Sequence, residues 1–205
     1  MSVSTLYGIN GVGKETVGFS LKERRPSLRV MSESRILMAL LGIIPDPTYN
    51  YSLSRDHYKD LESVPQEQMI KLESGPYREF VQELANDADH SLILSHLVFA
   101  LYLDKKIQYL TDRYTPQWYI ACNTALVQVT APPVITLARR SKDQNARERV
   151  MNGLDEIKVH QSYCDEKWDT ITNISDKLGS SNCHVLENIN LSLTTTMLEG
   201  IIYEH

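Results

Sequence analysis

The sequence has few cysteines, and they are not spaced like zinc ligands or like a disulfide framework. Its three cysteines, Cys122, Cys164 and Cys183, lie far apart and are odd in number. Zinc sites and disulfide-rich scaffolds need clustered and usually paired cysteines. We therefore expect reduced thiols and a cytoplasmic protein whose function rests on other residues.

The chain also lacks a long apolar run and an excess of positive charge. Residues 36–44 and 92–103 are its longest apolar stretches, and both are too short to span a bilayer. Residues 1–6 do not have the basic and apolar regions of a secretion signal. Lysine and arginine number 21 against 26 acidic residues, which gives a net charge of −5. We therefore expect no membrane span and no general nucleic-acid surface.

What the chain does have is the composition of one globular domain. It has 205 residues, of which 42% are hydrophobic and 23% are charged. This length is enough to bury a sizeable core, and the composition excludes disorder and collagen-like repeats. We predict a single domain over residues 1–205, and assembly of several copies stays open.

Predicted strands alternate with predicted helices along the chain. The strand candidates are residues 3–7, 28–31, 91–99, 125–130 and 184–187. The helix candidates are residues 16–25, 33–41, 66–86 with a break at Gly75-Pro76, 105–114, 134–141, 146–172 and 192–203. This alternation favours an α/β fold with a parallel sheet covered by helices on both faces. The polar, tyrosine-rich residues 46–64 are predicted to be an irregular surface excursion.

A glycine-rich turn follows the first predicted strand and fits the phosphate-binding pattern G-x-x-x-x-G-K. Its glycines allow backbone N–H groups to turn inward, and the following helix adds the positive end of its dipole. The lysine is placed to reach the β- and γ-phosphates of a nucleotide. A plain glycine-rich βα turn is the alternative, but the position at the first strand favours nucleotide binding. The predicted nucleotide contacts are Gly8, Asn10, Gly11, Val12, Gly13, Lys14, Glu15 and Thr16.

Two positions depart from the usual magnesium ligands of such sites. Glu15 follows the lysine where Ser or Thr normally offers a hydroxyl to Mg²⁺, and Thr16 comes one residue later. Ser95 stands near the end of a predicted strand where an acid is expected. One hypothesis exchanges the roles, with the carboxylate from Glu15 and the hydroxyl from Ser95, so these three residues are the candidate metal ligands. Alternatively, Glu15 points away, or Asp89 or Asp104 supplies the acid.

The most basic stretch of this acidic chain begins directly after the predicted strand 125–130 and its two prolines. Residues 139–149 contain Arg139, Arg140 and Arg147. Guanidinium groups compensate the charge that develops during phosphoryl transfer, and an arginine lid excludes water. The alternative is a solvated helical face with paired charges. Together with the glycine-rich turn, the cluster predicts catalytic arginines in a short lid over residues 139–150.

A second group of candidates lies where an acceptor substrate would bind. Ser34 and Arg35 follow the second predicted strand, and Arg35 could pair with an anionic acceptor. His96 closes an apolar strand at the carboxyl edge, where doubly wound folds bind ligands. We predict all three as substrate-binding residues, although Arg35 could simply be solvated and His96 could be structural.

These features resemble the nucleoside monophosphate kinase group of P-loop kinases, especially archaeal-type adenylate kinases. The resemblance rests on residues 8–16, on residues 91–98 with His96, and on residues 127–149 with their Arg-Arg-x-x-Asp stretch. It implies a three-layer P-loop kinase fold with about five strands, ATP and Mg²⁺ as cofactors, and an acceptor-side helical excursion over residues 45–88. It also implies these roles: phosphate binding by Gly11, Gly13 and Lys14, lid closure by Arg139, Arg140 and Arg147, acceptor binding by Arg35, and an adenine position near Asn190.

Three functional hypotheses follow. The first is an ATP-dependent phosphotransferase with a nucleoside monophosphate such as AMP as acceptor, which needs no dedicated base because a phosphate is already anionic. The second is a kinase of a nucleoside or a small hydroxyl metabolite, which needs a base such as His96 or an acid within residues 46–62. The third is a nucleotide-binding protein whose altered magnesium positions have lost catalysis.

Overall fold

The computed structural model describes residues 3–9, 11–49, 52–96, 99–103, 106–110, 117–142, 153–180 and 182–203. The strands are β1 Val3–Tyr7, β2 Arg29–Ser32, β3 Ser91–Ser95, β4 Phe99–Leu103, β5 Lys106–Leu110, β6 Ala125–Thr130 and β7 Cys183–Glu187. The helices are α1 Lys14–Arg24, α2 Glu33–Leu40, α3 Arg55–Glu62, α4 Gln66–Ser74, α5 Pro76–Asn86, α6 Gln117–Cys122, α7 Pro133–Lys142, α8 Leu154–Lys177 and α9 Leu191–Tyr203.

Five strands form a parallel sheet in the order β2-β3-β1-β6-β7, which confirms the predicted fold class. Strands β1 and β3 are buried along their whole length, as expected where helices cover both faces of a parallel sheet. Helix α1 packs against α9, whereas α5, α6 and α8 pack in a row. Because β1 lies between β3 and β6, the loop that follows β1 opens at the centre of the carboxyl edge.

The excursion after α2 returns to the sheet before it leaves again. Thr48 forms an antiparallel bridge with Met31 of β2, and Asp46 accepts hydrogen bonds from the Thr48 N–H (2.8 Å) and hydroxyl (2.7 Å). The excursion also contains α3, which the irregular composition did not predict. The Ser54 N–H donates to His57 Nδ1 (2.9 Å) at the start of α3, and this cap explains why a polar segment forms a helix here.

The region after β3 differs most from the sequence prediction. The predicted strand over residues 91–99 ends at Ser95, and the helix predicted over residues 105–114 is wrong, because β4 and β5 form an antiparallel hairpin there. Phe99 pairs with Leu110 in this hairpin. The stretch Lys-Ile-Gln-Tyr-Leu is rich in β-formers with polar and apolar residues in alternation, which is a strand pattern.

Helix α6 was not predicted from the sequence, whereas the remaining helices follow the prediction with shifted ends. The break at Gly75-Pro76 separates α4 from α5, as predicted. Helix α8 covers Leu154–Lys177, so it extends beyond the predicted end at residue 172, and residues 146–152 of that prediction lie outside the described residues. Residues 143–152, which include most of the predicted lid, lie outside the described residues. None of the helices that the structure describes is both long and apolar enough to cross a membrane.

Candidate active site

The glycine-rich turn joins β1 to α1, and its backbone requires glycine. Gly11 and Gly13 have φ angles of 90° and 89°, in the left-handed region that other residues rarely adopt. A Cβ atom on Gly13 would lie 2.5 Å from Asn188 Nδ2, and one on Gly8 would lie 2.7 Å from the Val129 carbonyl oxygen. The sequence pattern therefore corresponds to a closely wrapped loop. The predicted contact Asn10 lies outside the described residues.

Two side chains brace this loop through the Val12 carbonyl. The amide of Asn188 and the guanidinium of Arg139 each donate to that oxygen at 2.8 Å. Arg139 also donates to the Asn188 carbonyl at 2.9 Å, so three parts of the chain are joined. Asn188 follows β7, and its own N–H donates to the Thr130 carbonyl at the end of β6 (2.8 Å). The loop is therefore fixed to the carboxyl ends of two further strands.

The predicted lid arginines have different positions. Arg139 is in the last turn of α7 and contacts the loop backbone as described above. The Arg140 side chain also lies beside the loop, since a Cβ atom on Gly11 would be 2.8 Å from Arg140 Cγ. Arg147 lies outside the described residues. The structure thus brings two of the three arginines to the loop, and their role during transfer stays a prediction.

The loop and the start of α1 fit a polyphosphate. The first N–H groups of α1 have no carbonyl partner within the helix, and they lie at the positive end of its dipole. Gly13 is the N-cap residue of α1 and has no side chain that would occupy these groups. Lys14 adds a cation that is only 5% exposed. These residues could hold the phosphates of a nucleoside triphosphate.

Lys14 contacts His96, which the sequence analysis placed on the acceptor side. The Lys14 Nζ atom lies 3.2 Å from Nε2 and 3.3 Å from Nδ1 of His96. His96 directly follows β3, and β3 pairs with β1 in the sheet. The imidazole is therefore adjacent to the lysine of the glycine-rich motif.

Glu15 and Thr16 are exposed in the first turn of α1. The pKa of Tyr49 is raised to about 12, mainly by burial and next by the negative charge of Glu15. Glu15 therefore lies near Tyr49. Among the described residues, no group of three or more His, Cys, Asp and Glu side chains could hold a metal ion. Mg²⁺ usually takes one or two carboxylates and substrate phosphates, so this finding is compatible with the predicted ligands Glu15, Thr16 and Ser95.

Ser95 contacts a carboxylate that the sequence analysis did not select. Its hydroxyl donates to Glu33 Oε2 at 2.5 Å, and Ser95 is 4% exposed. Glu33 is the first residue of α2, directly after β2, and β2 pairs with β3 so that Ser32 lies opposite Leu94. An acid immediately after a predicted strand was the signal that could have identified Glu33.

Arg35 belongs to α2, and its side chain contacts the excursion that follows this helix. Its guanidinium donates to the Thr48 carbonyl at 2.8 Å and lies 4.2 Å from the centre of the Tyr49 ring. The Ser32 hydroxyl accepts from the Arg35 N–H at 3.3 Å and caps α2. Hydrogen bonds from Thr48, and further the Arg35 charge, lower the pKa of Asp46. The predicted acceptor residue Arg35 is therefore a buried cation beside Ser34, which is half-buried.

Asn190 lies at the start of α9, near the predicted adenine position. Its Oδ1 accepts the Leu193 N–H at 3.1 Å, and its carbonyl accepts the Thr194 N–H at 2.9 Å. The side chain is exposed and caps the helix. Contact with a nucleotide stays a prediction for this residue, whereas the neighbouring Asn188 is the one that braces the loop.

No protein-family model matches the chain, and a search of curated protein sequences finds no relative. Solved structures do match its fold. A shikimate kinase from Bacteroides thetaiotaomicron aligns with 98% of this chain and 98% of its own length at a TM-score of 0.56 and 11% identity. An uncharacterized protein from Eubacterium ventriosum ATCC 27560 aligns with 100% of this chain and 99% of its own length at a TM-score of 0.50 and 11% identity.

This likeness concerns the fold, because the sequence identities are low. Together with the strand order and the loop after β1, it shows that the chain has a P-loop kinase-like fold. It does not single out the adenylate kinases, to which the sequence pattern was compared. The chain is structurally similar to a kinase of a small metabolite.

Proposed function

We propose that this chain is an ATP-dependent kinase that phosphorylates a hydroxyl group of a small polar metabolite. The observation that carries the proposal is the contact between Ser95 and Glu33, which holds a carboxylate at the carboxyl edge of the sheet. A hydroxyl must lose its proton as it attacks the γ-phosphorus, and a carboxylate there can accept that proton. A phosphate acceptor needs no base, because it is already anionic.

In this proposal, the donor half of the site binds ATP through residues 8–14. Backbone N–H groups and Lys14 hold the β- and γ-phosphates. Mg²⁺, when bound, neutralises charge on these phosphates, and Glu15, Thr16 and Ser95 are the residues that would hold it. Arg139 keeps the loop in its wrapped form through the Val12 carbonyl.

In this proposal, the acceptor half lies across His96 from the donor half. Glu33 serves as the base, and Ser95 orients it by donating a hydrogen bond. Arg35, two residues after Glu33 in α2, provides a positive charge beside Thr48 and Tyr49, and a cation there favours an acceptor that carries an acidic group. The structural similarity to a shikimate kinase supports an acceptor of the small-metabolite class.

The first test is ADP production from ATP and Mg²⁺ with a panel of acceptors. The panel contains shikimate, D-gluconate, nucleosides and nucleoside monophosphates. We expect turnover with a hydroxy acid, and Glu33→Gln should lower kcat by about 100-fold or more, since general base catalysis contributes about 10²–10⁴. Glu23→Gln, which alters an exposed acid in α1, is the matched control and should leave kcat unchanged.

A nucleoside monophosphate kinase is the second candidate, and the buried guanidinium of Arg35 favours it. Turnover with AMP alone, together with an unaffected kcat in Glu33→Gln, would support this candidate and contradict the hydroxyl kinase. Tight ATP binding without turnover on any acceptor would indicate a nucleotide-binding protein without catalysis.

A further inference from the structure

Lys14 is a buried cation with an unusual neighbour. Its Nζ atom lies within 3.3 Å of both ring nitrogens of His96, and the residue is 5% exposed. A buried ammonium loses its hydration and needs acceptors that replace water. The His96 ring is therefore part of what holds the lysine in this direction.

Two consecutive residues at the end of β3 serve the two halves of the site. Ser95 donates to Glu33 on the acceptor side, and His96 contacts Lys14 on the donor side. Strand β3 lies between β2, which leads to Glu33, and β1, which leads to the phosphate-binding loop. The strand order alone thus places these two side chains between donor and acceptor.

We infer that His96 is a positioning residue that orients Lys14 toward the polyphosphate. A lysine side chain loses rotamer entropy when it is ordered, and nucleotide binding must otherwise supply this cost. A ring that fixes the ammonium beforehand reduces this cost. A carboxylate in the same place would form an ion pair with Lys14 and compete with the phosphates, whereas imidazole leaves the positive charge available.

The inference rests on the proposed ATP site but not on the identity of the acceptor. It can therefore be tested by nucleotide binding alone, with the full chain and a fluorescent ATP analogue carrying an N-methylanthraniloyl group. His96→Leu should weaken binding of this analogue by about tenfold or more, and His96→Ala, which removes the ring without adding bulk, should do the same. His96→Gln, whose amide oxygen can accept from Lys14, should restore the affinity to within about threefold of the original.

Three further measurements separate positioning from a general structural effect. Thermal unfolding of the three His96 variants should match that of the unchanged protein. In a Lys14→Ala background, His96→Leu should cause no additional loss of affinity, because a residue that acts through Lys14 has no effect without it. With a working acceptor, KM for ATP should rise more than kcat falls.

The outcomes distinguish this inference from the proposed function. Unchanged affinity in His96→Leu and His96→Ala, equal weakening in His96→Gln, or an additive loss in the Lys14→Ala background would each overturn the role of His96 while the ATP site stands. Failure of the unchanged protein to bind the analogue would overturn the ATP site and this inference together.

Discussion

The proposed donor and acceptor halves of the site are built in different ways. The donor half consists of consecutive residues 8–14, whose backbone is fixed by glycines and braced at Val12. The acceptor half combines residues 33–35, 46–49 and 95, and side chains make its contacts. A site made by backbone can be read from one short motif, whereas a site made by side chains depends on strand order. The donor half is therefore the part that sequence patterns identify best.

The largest expected effect is on the donor half. Lys14→Ala should lower turnover by about 100-fold or more, since the loss of one group that stabilises transition-state charge costs about 10²–10³. Lys22→Ala is the control, because Lys22 lies on the same helix and donates to the Leu28 carbonyl (2.7 Å). Steady-state ADP production measures both. Turnover in Lys14→Ala similar to that in Lys22→Ala would contradict the assignment of the donor half.

The second-largest expected effect tests whether the backbone of the glycine-rich loop determines ATP binding. Gly13→Ala combines a positive φ with a Cβ atom that would lie 2.5 Å from Asn188 Nδ2, so the brace at Val12 should be displaced. We expect ATP affinity to fall by about tenfold or more, because the loss of about one hydrogen bond away from water costs a comparable free energy. Isothermal titration with ATP measures this loss.

Gly42→Ala is a matched control for backbone strain. Gly42 also has a positive φ of 72°, but a Cβ atom there would meet nothing within 4 Å. It should lower the free energy of unfolding by about 1 kcal/mol and leave ATP affinity unchanged. Equal ATP affinity in the two variants would mean that the wrapped loop is not the determinant of nucleotide binding.

A third prediction concerns the edge of the sheet opposite both halves. His90 precedes β3, and its Nε2 lies 3.0 Å from the Ser4 hydroxyl. Burial lowers the pKa of His90 to about 4, below the usual value of 6.5 in the unfolded chain. Because the unfolded chain binds the proton more readily, the contribution of His90 is complete above pH 6.5 and is lost as the pH falls toward 4.

After allowance for solvent screening, this loss should be on the order of 1–2 kcal/mol. Chemical denaturation between pH 7 and pH 4 measures it, and His90→Gln should flatten the dependence. Because His90 is remote from both halves, the same substitution should leave kcat unchanged. A stability profile that keeps its slope in His90→Gln would assign the pH dependence to other groups.

The smallest expected effect concerns Tyr77 and Tyr119, two stacked tyrosines next to the acceptor half. The rings of Tyr77 and Tyr119 lie 6.3 Å apart at 11°. The Tyr119 hydroxyl is 2.8 Å from the Thr5 hydroxyl, whereas the buried Tyr77 hydroxyl has no hydrogen-bond partner among the described residues. Burial is the main reason that the pKa of Tyr77 lies well above its usual value.

Tyr119→Phe should therefore lower the free energy of unfolding by about 1 kcal/mol, because it leaves the Thr5 hydroxyl with one contact fewer. Tyr77→Phe should leave that free energy unchanged or raise it, since a buried hydroxyl without a partner costs about 1–3 kcal/mol. Urea denaturation of the two variants makes the comparison. A larger loss in Tyr77→Phe than in Tyr119→Phe would show that the Tyr77 hydroxyl is satisfied within the protein.

The sequence predicted the sheet and the glycine-rich loop because both leave local patterns. Alternating strands and helices predicted the parallel sheet, and the glycine pattern predicted the loop that Gly11 and Gly13 form. The hairpin of β4 and β5 was missed because the alternation in Lys106–Leu110 is too short to distinguish a strand from a helix well.

The acceptor half was only partly predictable. Arg35 and the adjoining His96 were predicted from their positions after strands. The residues that they contact, Thr48 and Lys14, lie elsewhere in the sequence. Glu33 became evident only when the pairing of β2 with β3 placed it beside Ser95. Contacts such as that between Lys14 and His96 depend on which strands are neighbours, and one sequence does not specify this.

The central claim is that the γ-phosphoryl group of ATP is transferred to a hydroxyl oxygen in the acceptor half, with ADP as the leaving group. Phosphorus-31 NMR of the reaction product measures the new bond directly, with ATP, Mg²⁺ and the acceptor that gives the highest turnover in the panel. For the unchanged protein, we predict the resonance of a phosphate monoester of a carbon-bound hydroxyl. This resonance should be absent when Glu33→Gln reacts for the same time. A product with only phosphoanhydride resonances, as when a nucleoside monophosphate becomes a diphosphate, would contradict the account.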